Sequence, residues 1–406
     1  MFRFLWHSLS LVTLLAVYPQ AHAAASHSHN AAPATRPTAT RPSQAEQYER
    51  MVEQKLKHTY AATAMRMLAE CGGIRHGLCI DLGCGTGRLD VELARRSELT
   101  IVGLDIDPDM KPIFERRIRA AGLQDRVSFI VGDAQKLPFP DRHADLIISR
   151  GMLIFVPDIG QCLREVQRVL KPTGVAFLGG RYLHAPENSR LTADALRDLV
   201  SKSGVAGARV VDGRGQWVKI LGPQAPKAAR EVQIGPQMLA WRMVADYDIA
   251  TGRALVICQT DGSAEQALQQ GLLDATDLHI TALYPSESLA KAADARIRHA
   301  GLDKRLACKV GDAHALPFEA GSFNLVSGLG GVPFWKDREK AFAEIHRVLQ
   351  PGGVALVGGV YRYMPESLRL SGQALRATTR RSGLSTIRVY EDNGQWVEIT
   401  KTADAR

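Results

Sequence analysis

A glycine-rich stretch at residues 80–90 carries the clearest chemistry of this chain. It reads IDLGCGTGRLD, and Gly83, Gly85 and Gly87 follow an apolar run that is typical of a buried strand. Glycines at such a turn let the backbone bend sharply and approach a ligand with no side chain in between. A glycine pattern alone also fits dinucleotide enzymes and ordinary turns, so its companions decide the interpretation.

Three aspartates accompany this loop, each at the predicted end of a strand. Asp81 ends the first strand, where a carboxylate can face a ligand ammonium. Asp105 ends the second strand in GLDID, where a carboxylate accepts ribose hydroxyls. Asp133 ends the third strand in VGDA, where it could accept a hydrogen bond from an adenine amino group. Ligands of doubly wound sheets bind beyond the carboxyl ends of the strands, so we expect one ligand site there.

The glycines and the three aspartates must be positioned by the strands and helices around them. Apolar runs here alternate with segments whose apolar residues have helical spacing. Strands are predicted for GLCIDLG, LTIVGLD, VSFIVGD, ADLIIS and GVAFLGG, and helices for RLDVELARR, MKPIFERRIRAAGL and IGQCLREVQRVLK. This alternation predicts an α/β fold, with a mostly parallel, doubly wound sheet covered by helices on both faces. The stretch ARVVDGRGQWVKI predicts an antiparallel closing pair of strands.

The whole pattern occurs twice in the chain. RIRAAGL at 117–123 recurs as RIRHAGL at 296–302, which is 179 residues later. The same offset aligns 78–220 with 257–399 without a gap, and this indicates a tandem duplication. A residue kept in both copies is expected to serve the fold or to be a relic of the duplication. The pairs of this kind are Cys79 and Cys258, Tyr182 and Tyr361, and Trp217 and Trp396.

The second copy lacks residues that make the first a candidate ligand site. The replacements at equivalent positions are Asp81 by Thr260, Gly85 by Ala264, Gly87 by Gln266, and Asp105 by Tyr284. The ammonium partner, the ribose acceptor and two glycines of the turn are therefore gone. We expect the second copy to keep the fold without binding the ligand.

Taken together, IDLGCGTG, GLDID, GDAQKLPFPDRHADLIIS and LREVQRVLKPTG resemble the class I S-adenosylmethionine-dependent methyltransferases of the type 11 group over residues 48–220. The resemblance implies two tandem Rossmann-like class I methyltransferase domains, the second degenerate, with S-adenosyl-L-methionine as the cofactor. It implies that Asp81 and the glycine loop hold the methionine end, Asp105 the ribose, and Asp133 with Ala134 the adenine. The candidate cofactor-binding residues are Asp81, Gly83, Cys84, Gly85, Gly87, Asp105, Ile106, Asp133, Ala134 and Arg150.

The sequence gives less information on Arg150 and on the residues that would lie near the methyl acceptor. Arg150 follows the fourth strand and is kept only in the first copy, and a surface arginine is the alternative interpretation. Tyr182 and His184 follow the fifth strand and could act as a general base, although His184 also fits an ordinary loop histidine. Relatives of this type methylate small molecules on carbon, oxygen, nitrogen or sulfur, so the resemblance implies a small-molecule acceptor.

The N-terminus predicts export. MFRFLWHSLSLVTLLAVYPQAHAAA combines Arg3, an apolar run and a small-residue cleavage motif, which is typical of a secretory signal. An uncleaved membrane anchor and a misplaced start codon, which would leave the protein in the cytoplasm, are the alternatives. The predicted organisation is a signal at 1–23, a disordered linker at 24–47, domains at 48–221 and 238–401, and a linker at 222–237.

Length and charge narrow the class of protein. A chain of 406 residues accommodates two domains of ordinary size, and we expect the two copies to pair within the chain. The net charge is +9, but the basic residues are scattered, so no nucleic-acid partner is predicted, and no metal site either.

Export leaves a second function open, an exported non-catalytic binding protein on the same fold, because S-adenosylmethionine is made and used in the cytoplasm. The intact loop and its aspartates favour methyl transfer.

Overall fold

The computed structural model describes residues 43–180, 191–211, 216–232, 235–359, 371–390 and 395–402. They form two compact units. Helix α1 (Gln44–Lys55) belongs to the first unit, and the next helix, α2 (Tyr60–Glu70), belongs to the second. The segment 58–74 therefore joins the second copy, whereas the predicted domain bounds place it with the first.

The first unit is built on a seven-stranded sheet with the order β3-β2-β1-β4-β5-β7-β6. Its strands are β1 (His76–Leu82), β2 (Glu98–Asp105), β3 (Val127–Val131), β4 (Ala144–Arg150), β5 (Leu170–Gly180), β6 (Ala208–Val211) and β7 (Gln216–Leu221). Its helices beyond α1 are α3 (Arg88–Ala94), α4 (Met110–Ala120), α5 (Ile159–Val169) and α6 (Ala193–Ser203), with a 3-10 turn at Leu153–Phe155.

Strand directions in this sheet follow the prediction. β1 is parallel to β2 and β4, and the parallel pairing continues to β3 on one side and β5 on the other. β7 then runs antiparallel to β5, with Val175 opposite Leu221. This confirms the doubly wound α/β sheet with an antiparallel closing pair. Its core contains apolar residues from both strands and helices, such as Ile80, Ile147 and Val166, all fully buried.

The second unit repeats this architecture. Its sheet has the order β10-β9-β8-β11-β12-β14-β13. The strands are β8 (Arg253–Ile257), β9 (His279–Tyr284), β10 (Leu306–Val310), β11 (Phe323–Leu329), β12 (Leu349–Gly359), β13 (Ile387–Tyr390) and β14 (Gln395–Thr400). The helices beyond α2 are α7 (Lys227–Arg230), α8 (Pro236–Tyr247), α9 (Ser263–Ala275), α10 (Glu287–His299), α11 (Arg338–Val348) and α12 (Gly372–Arg381), with a 3-10 turn at Val332–Phe334.

Most strand registers agree between the units at the predicted offset, since Ala144 lies opposite Leu170 in the first sheet and Phe323 opposite Leu349, each 179 residues later, in the second. The exception is β8, which corrects the gap-free alignment: Asp81 lies opposite Ile148 in the first sheet, but Val256 lies opposite Ser327 in the second, so β1 and β8 are related by 175 residues.

The tryptophans kept in both copies pack in the core as predicted, since Trp217 is buried and stacks on Phe177 with the ring centroids 4.6 Å apart, and its counterpart Trp396 is buried as well. Cys79 and Cys258 are also buried, but Cys258 follows β8 and so is not at the strand position of Cys79. Tyr182 and Tyr361 lie outside the described residues.

The N-terminal part of the described chain is more ordered than its composition predicts. α1 begins at Gln44, inside the stretch 24–47 that the composition assigns to a linker. Ser43 caps it, because its hydroxyl accepts from the amide of Glu46 and the Glu46 carboxylate accepts from the amide of Ser43. The predicted signal at 1–23 lies outside the described residues. Among the helices that the structure describes, none combines the length and the hydropathy of a membrane span.

Helix α2 is held in the second unit by charged groups that are themselves buried. Arg66 is fully buried and donates to the carboxylate of Asp246 on α8. Glu70, 1% exposed, accepts from Arg242 on α8 at 2.7 and 3.0 Å. A buried ion that loses its partner keeps its desolvation cost without compensation, so these pairs fix how α2 packs on α8.

We expect Asp246→Ala to destabilise the second unit by about 3–5 kcal/mol, because it leaves the Arg66 guanidinium buried without this counterion. Urea unfolding measures the loss. The double variant Arg66→Leu/Asp246→Leu should recover most of it, since it removes both charges. A cost below about 1 kcal/mol for the single change, which is the range of a surface pair, would contradict the buried ion pair.

Candidate cofactor site

The glycine loop leaves the end of β1 and reaches α3 within five residues. Gly83, Gly85 and Gly87 have φ angles of +70°, +53° and +78°, in the left-handed region that glycine tolerates. The amides of Gly83 and Cys84 donate to the carbonyl of Leu104 on β2, which holds the turn against the neighbouring strand. The loop therefore presents backbone groups, not side chains, at the carboxyl edge of the sheet.

Asp105 fastens the loop to the end of β2. Its Oδ2 accepts from the amide of Gly85 at 2.8 Å, and its Oδ1 accepts from the amide of Asp107 at 3.0 Å. The side chain is only 6% exposed, and this burial raises the pKa of Asp105 although the two amide bonds oppose the rise. Each carboxylate oxygen has a second lone pair, so a ligand hydroxyl can still be accepted.

Asp81 lies beside the loop as a buried carboxyl that lacks a donor. It is 1% exposed, and its Oδ1 has no hydrogen-bond partner within the described residues. Burial and the neighbouring Asp90 raise the pKa of Asp81 well above its ordinary value. A buried polar atom without a partner is costly, and a cationic group of a ligand would supply the missing interaction. The site thus fits a ligand that carries an ammonium.

The remaining candidates occupy the neighbouring strand ends. Cys84 and Ala134 are buried, whereas Ile106 is 56% exposed directly after β2. Asp133 follows β3 and accepts from the amide of Gln135 at 2.8 Å. Arg150 ends β4 and is half-buried. Tyr182 and His184, the two candidates for a general base, lie outside the described residues.

Helix α1 contributes residues that the sequence analysis does not assign. The Tyr48 ring lies 3.2 Å from the position a Cβ would take at Gly85. Glu49 accepts from Arg88 and Arg117, and Arg117 also donates to the carbonyl of Thr86 at 2.7 Å. Burial works against ionisation of Glu49, but these hydrogen bonds outweigh it and lower its pKa. The loop is therefore supported from its outer side by α1.

The same place in the second unit has a different backbone. Ile257 ends β8 where Leu82 ends β1, so by strand register Thr260 stands in place of Gly85 and Gly262 in place of Gly87. Gly262 has an ordinary φ of −80°, where Gly87 is left-handed. α9 begins at Ser263, as far from its strand as α3 is from β1, and the residues that the gap-free alignment does not account for lie beyond this point, where α9 is 13 residues long and α3 is seven.

Side chains of the second unit then occupy the site and satisfy one another. Tyr284, fully buried in the position of Asp105, donates to Asp261 at 3.0 Å and accepts from Gln269 at 3.2 Å. Arg296 forms an ion pair with Asp261 at 2.8 Å. Burial raises the pKa of Tyr284, so its hydroxyl stays protonated and serves as a donor. Where the first unit has an orphaned carboxyl, the second has a closed network.

The comparison with protein families matches both units. The methyltransferase domain model matches residues 80–178 and again residues 260–357. The chain carries two methyltransferase domains in tandem. This confirms the predicted family, whose cofactor is S-adenosyl-L-methionine. The first match runs from β1 to β5, and the second runs from the turn after β8 to β12. Hereafter the first and second units are called the first and second methyltransferase domains.

Individual relatives cover only part of the chain. The methyltransferase GfsG of Streptomyces halstedii is 35% identical over 130 residues, 32% of this chain and 42% of its own length. The 27-O-demethylrifamycin SV methyltransferase of Amycolatopsis mediterranei is 28% identical over 50% of this chain and 68% of its own. A SAM-dependent methyltransferase structure from Aquifex aeolicus is 20% identical, covers 36% of this chain and 82% of its own, and has a TM-score of 0.32. The chain thus spans less than half the length of GfsG.

Packing as well as ligand approach requires glycine at position 87. A Cβ there would lie 2.7 Å from the buried ring of Phe114 on α4. Gly87→Ala should therefore cost about 1–2 kcal/mol for the left-handed backbone and a further 1–3 kcal/mol for overpacking. Urea unfolding is the measurement.

Gly122 provides the matched control for this substitution. It has φ +68°, and nothing lies within 4 Å of its Cβ position. Gly122→Ala should show only the backbone cost of about 1–2 kcal/mol. Equal losses for the two variants would contradict the close packing of Phe114 on the loop.

Proposed function

We propose that the first methyltransferase domain binds S-adenosyl-L-methionine and transfers its methyl group to a small-molecule acceptor, while the second domain is non-catalytic. The observation that carries this proposal is the contrast between equivalent sites. The first has a left-handed glycine loop beside Asp81, whose Oδ1 lacks a partner, and the second is filled by Tyr284 and an Asp261–Arg296 pair.

The chain's own residues divide the work of holding the cofactor. Asp81 and the glycine loop bind the methionine end, with the Asp81 carboxylate facing the ammonium. Asp105 accepts from the ribose hydroxyls, and Asp133 with Ala134 binds the adenine. The exposed side chain of Ile106 provides apolar surface beside the ribose acceptor, and Arg150 stands at the end of β4 on the other side of β1.

The cofactor supplies a methyl group already activated on a sulfonium. The protein therefore needs to align the acceptor with that methyl and to exclude water, and proximity provides much of the rate. A general base is required only when the acceptor atom must lose a proton. Tyr182 and His184 remain the candidates for that role.

The acceptor is proposed to be a small organic molecule. The 27-O-demethylrifamycin SV methyltransferase takes its name from such a substrate, and its alignment covers half of this chain. The predicted signal at 1–23 would place this activity outside the cytoplasm, where the cofactor is not made. That tension makes cofactor binding itself the decisive measurement.

We expect calorimetric titration of the purified protein to show one S-adenosylmethionine per chain, bound with micromolar affinity. Asp105→Ala should weaken binding tenfold or more, because a tenfold loss corresponds to about 1.4 kcal/mol, the scale of one hydrogen bond to a charged group. Tyr284→Phe, at the equivalent position of the second domain, should leave the affinity unchanged. No binding at millimolar cofactor would reject the methyltransferase proposal and favour the exported binding protein.

Asp133 and Asp312 offer a matched pair for testing the adenine contact. Both carboxylates accept from the amide two residues later, Asp133 at 2.8 Å and Asp312 at 2.9 Å, so both variants lose the same turn bond. Asp133→Ala should lower cofactor affinity about fivefold or more, as expected for loss of one hydrogen bond. Asp312→Ala should not change it. Similar effects of the two variants on binding would assign Asp133 to the turn alone.

A further inference from the structure

Helix α3 carries a buried acid that the cofactor assignments do not use. Asp90 is fully buried, and its carboxyl interacts with that of Asp81 at the end of β1. Asp81 Oδ1 and both carboxylate oxygens of Asp90 have no side-chain donor among the described residues. Two buried acids thus face each other without a side-chain donor for either.

This arrangement requires a proton. Carboxylates are acceptors only, so two of them cannot hydrogen-bond unless one is protonated, and two adjacent buried negative charges repel strongly. Burial raises the pKa of Asp90 to about 7 and that of Asp81 well above its ordinary value. The pair is best described as holding one proton in common.

Few other charged groups face this pair. Asp105 and the Cys84 thiol lie on the Asp81 side, and Asp105 adds negative charge that favours the shared proton. Arg117 lies on the Asp90 side and favours ionisation of Asp90. Arg117 is also bound to Glu49, so its charge is partly compensated. These opposing charges leave the proton on the pair weakly held, so a further positive charge at Asp81 would displace it.

The second domain lacks this pair of acids. By strand register and helix start, Val256 stands at the position of Asp81 and Glu265 at that of Asp90. Glu265 is buried and accepts from the amide of Thr260 at 3.3 Å, so its carboxylate has a backbone donor and faces no acid at the position of Val256. The acidic pair therefore occurs in the domain whose site is open and is absent from the domain whose site is filled.

We propose that Asp90 is a positioning residue that shares one proton with Asp81 in the cofactor-free protein, and that binding of a cationic amino group at Asp81 releases this proton to solvent. The O–H···O contact between the acids breaks, the proton passes to buffer, and an ammonium–carboxylate contact forms. This rests on the proposed function, because the cation is the ammonium of the cofactor's methionine part.

The sign of the pH dependence follows directly. The free protein holds a proton that the complex lacks, so lower pH favours the free protein and affinity rises with pH. For one proton the rise is up to tenfold per pH unit between about pH 5.5 and 6.5, below the titration of an α-amino group. Above the titration of the pair, the affinity should level off.

The experiment is calorimetric titration of the purified full-length protein with S-adenosylmethionine, in buffers of different ionisation enthalpy. The wild type should release close to one proton per cofactor at about pH 6. Asp90→Asn keeps a hydrogen-bond donor beside Asp81 but cannot share a proton, so its proton release and the slope of its affinity with pH should vanish. Glu92→Gln removes a charge from the same helix at a partly exposed ion pair with Arg96 and should behave as the wild type.

A second readout needs no cofactor. Infrared difference spectra between the wild type and Asp90→Asn at about pH 6 should show the carbonyl stretch of a protonated carboxyl in the wild type alone. Absence of that band would overturn the shared proton whether or not the cofactor binds. Binding without proton release would overturn the coupling and leave the proposed function standing. A band without cofactor binding would reject the proposed function and the coupling, while the shared proton stands.

Discussion

The turn after β1 must leave a buried strand, reverse direction and enter a helix without placing side chains over the sheet edge. Left-handed glycines make this possible in the first domain, and the amide of Gly85 is anchored by the Asp105 carboxylate at 2.8 Å. The carboxyl of Asp81 at the end of β1 remains without a donor and is available to a ligand. In the second domain the helix begins equally far from its strand, but Val256 takes the place of Asp81 and Tyr284 closes the site.

The open site of the first domain is unfavourable for the stability of the fold. Asp81, Asp90 and Asp105 are all nearly inaccessible to water, and burial of carboxyl groups costs free energy unless they are fully hydrogen-bonded. The second domain uses Tyr284 and Gln269, which satisfy each other without a buried unpaired charge. The site of the first domain therefore stabilises its fold less than the equivalent site stabilises the second domain. Such a cost is expected where residues are kept because they bind a ligand, not because they stabilise the fold.

The sequence allowed the fold to be predicted because buried parallel strands are continuous apolar runs and because one offset relates most of the two copies. It also located the glycine loop and Asp105. The four-residue shift of β8 was not predicted, because the gap-free alignment rested on shared motifs that lie beyond it. Helix α1 escaped prediction since its surroundings are rich in Ala, Pro and Thr, although the Ser43–Glu46 capping box was readable. Asp90 could not be assigned, because an aspartate on a helix is ordinarily solvated and only the packing shows it buried. The sequence likewise showed that the second site had lost its ligand-binding residues, but it did not show that side chains fill the site.

One arginine shows how the duplicate lost a site without losing its packing. Arg117 and Arg296 occupy equivalent positions on α4 and α10. Arg117 supports the loop through the carbonyl of Thr86 and binds Glu49, whereas Arg296 binds Asp261 inside the former site. The cation stays near the same strand ends and only its partners differ, while the register of β4 with β5 recurs in β11 with β12 at the common offset. The sheet and the site are therefore separable, because substitutions at the loop and a four-residue shift of β8 change the site while the order of the strands stays the same.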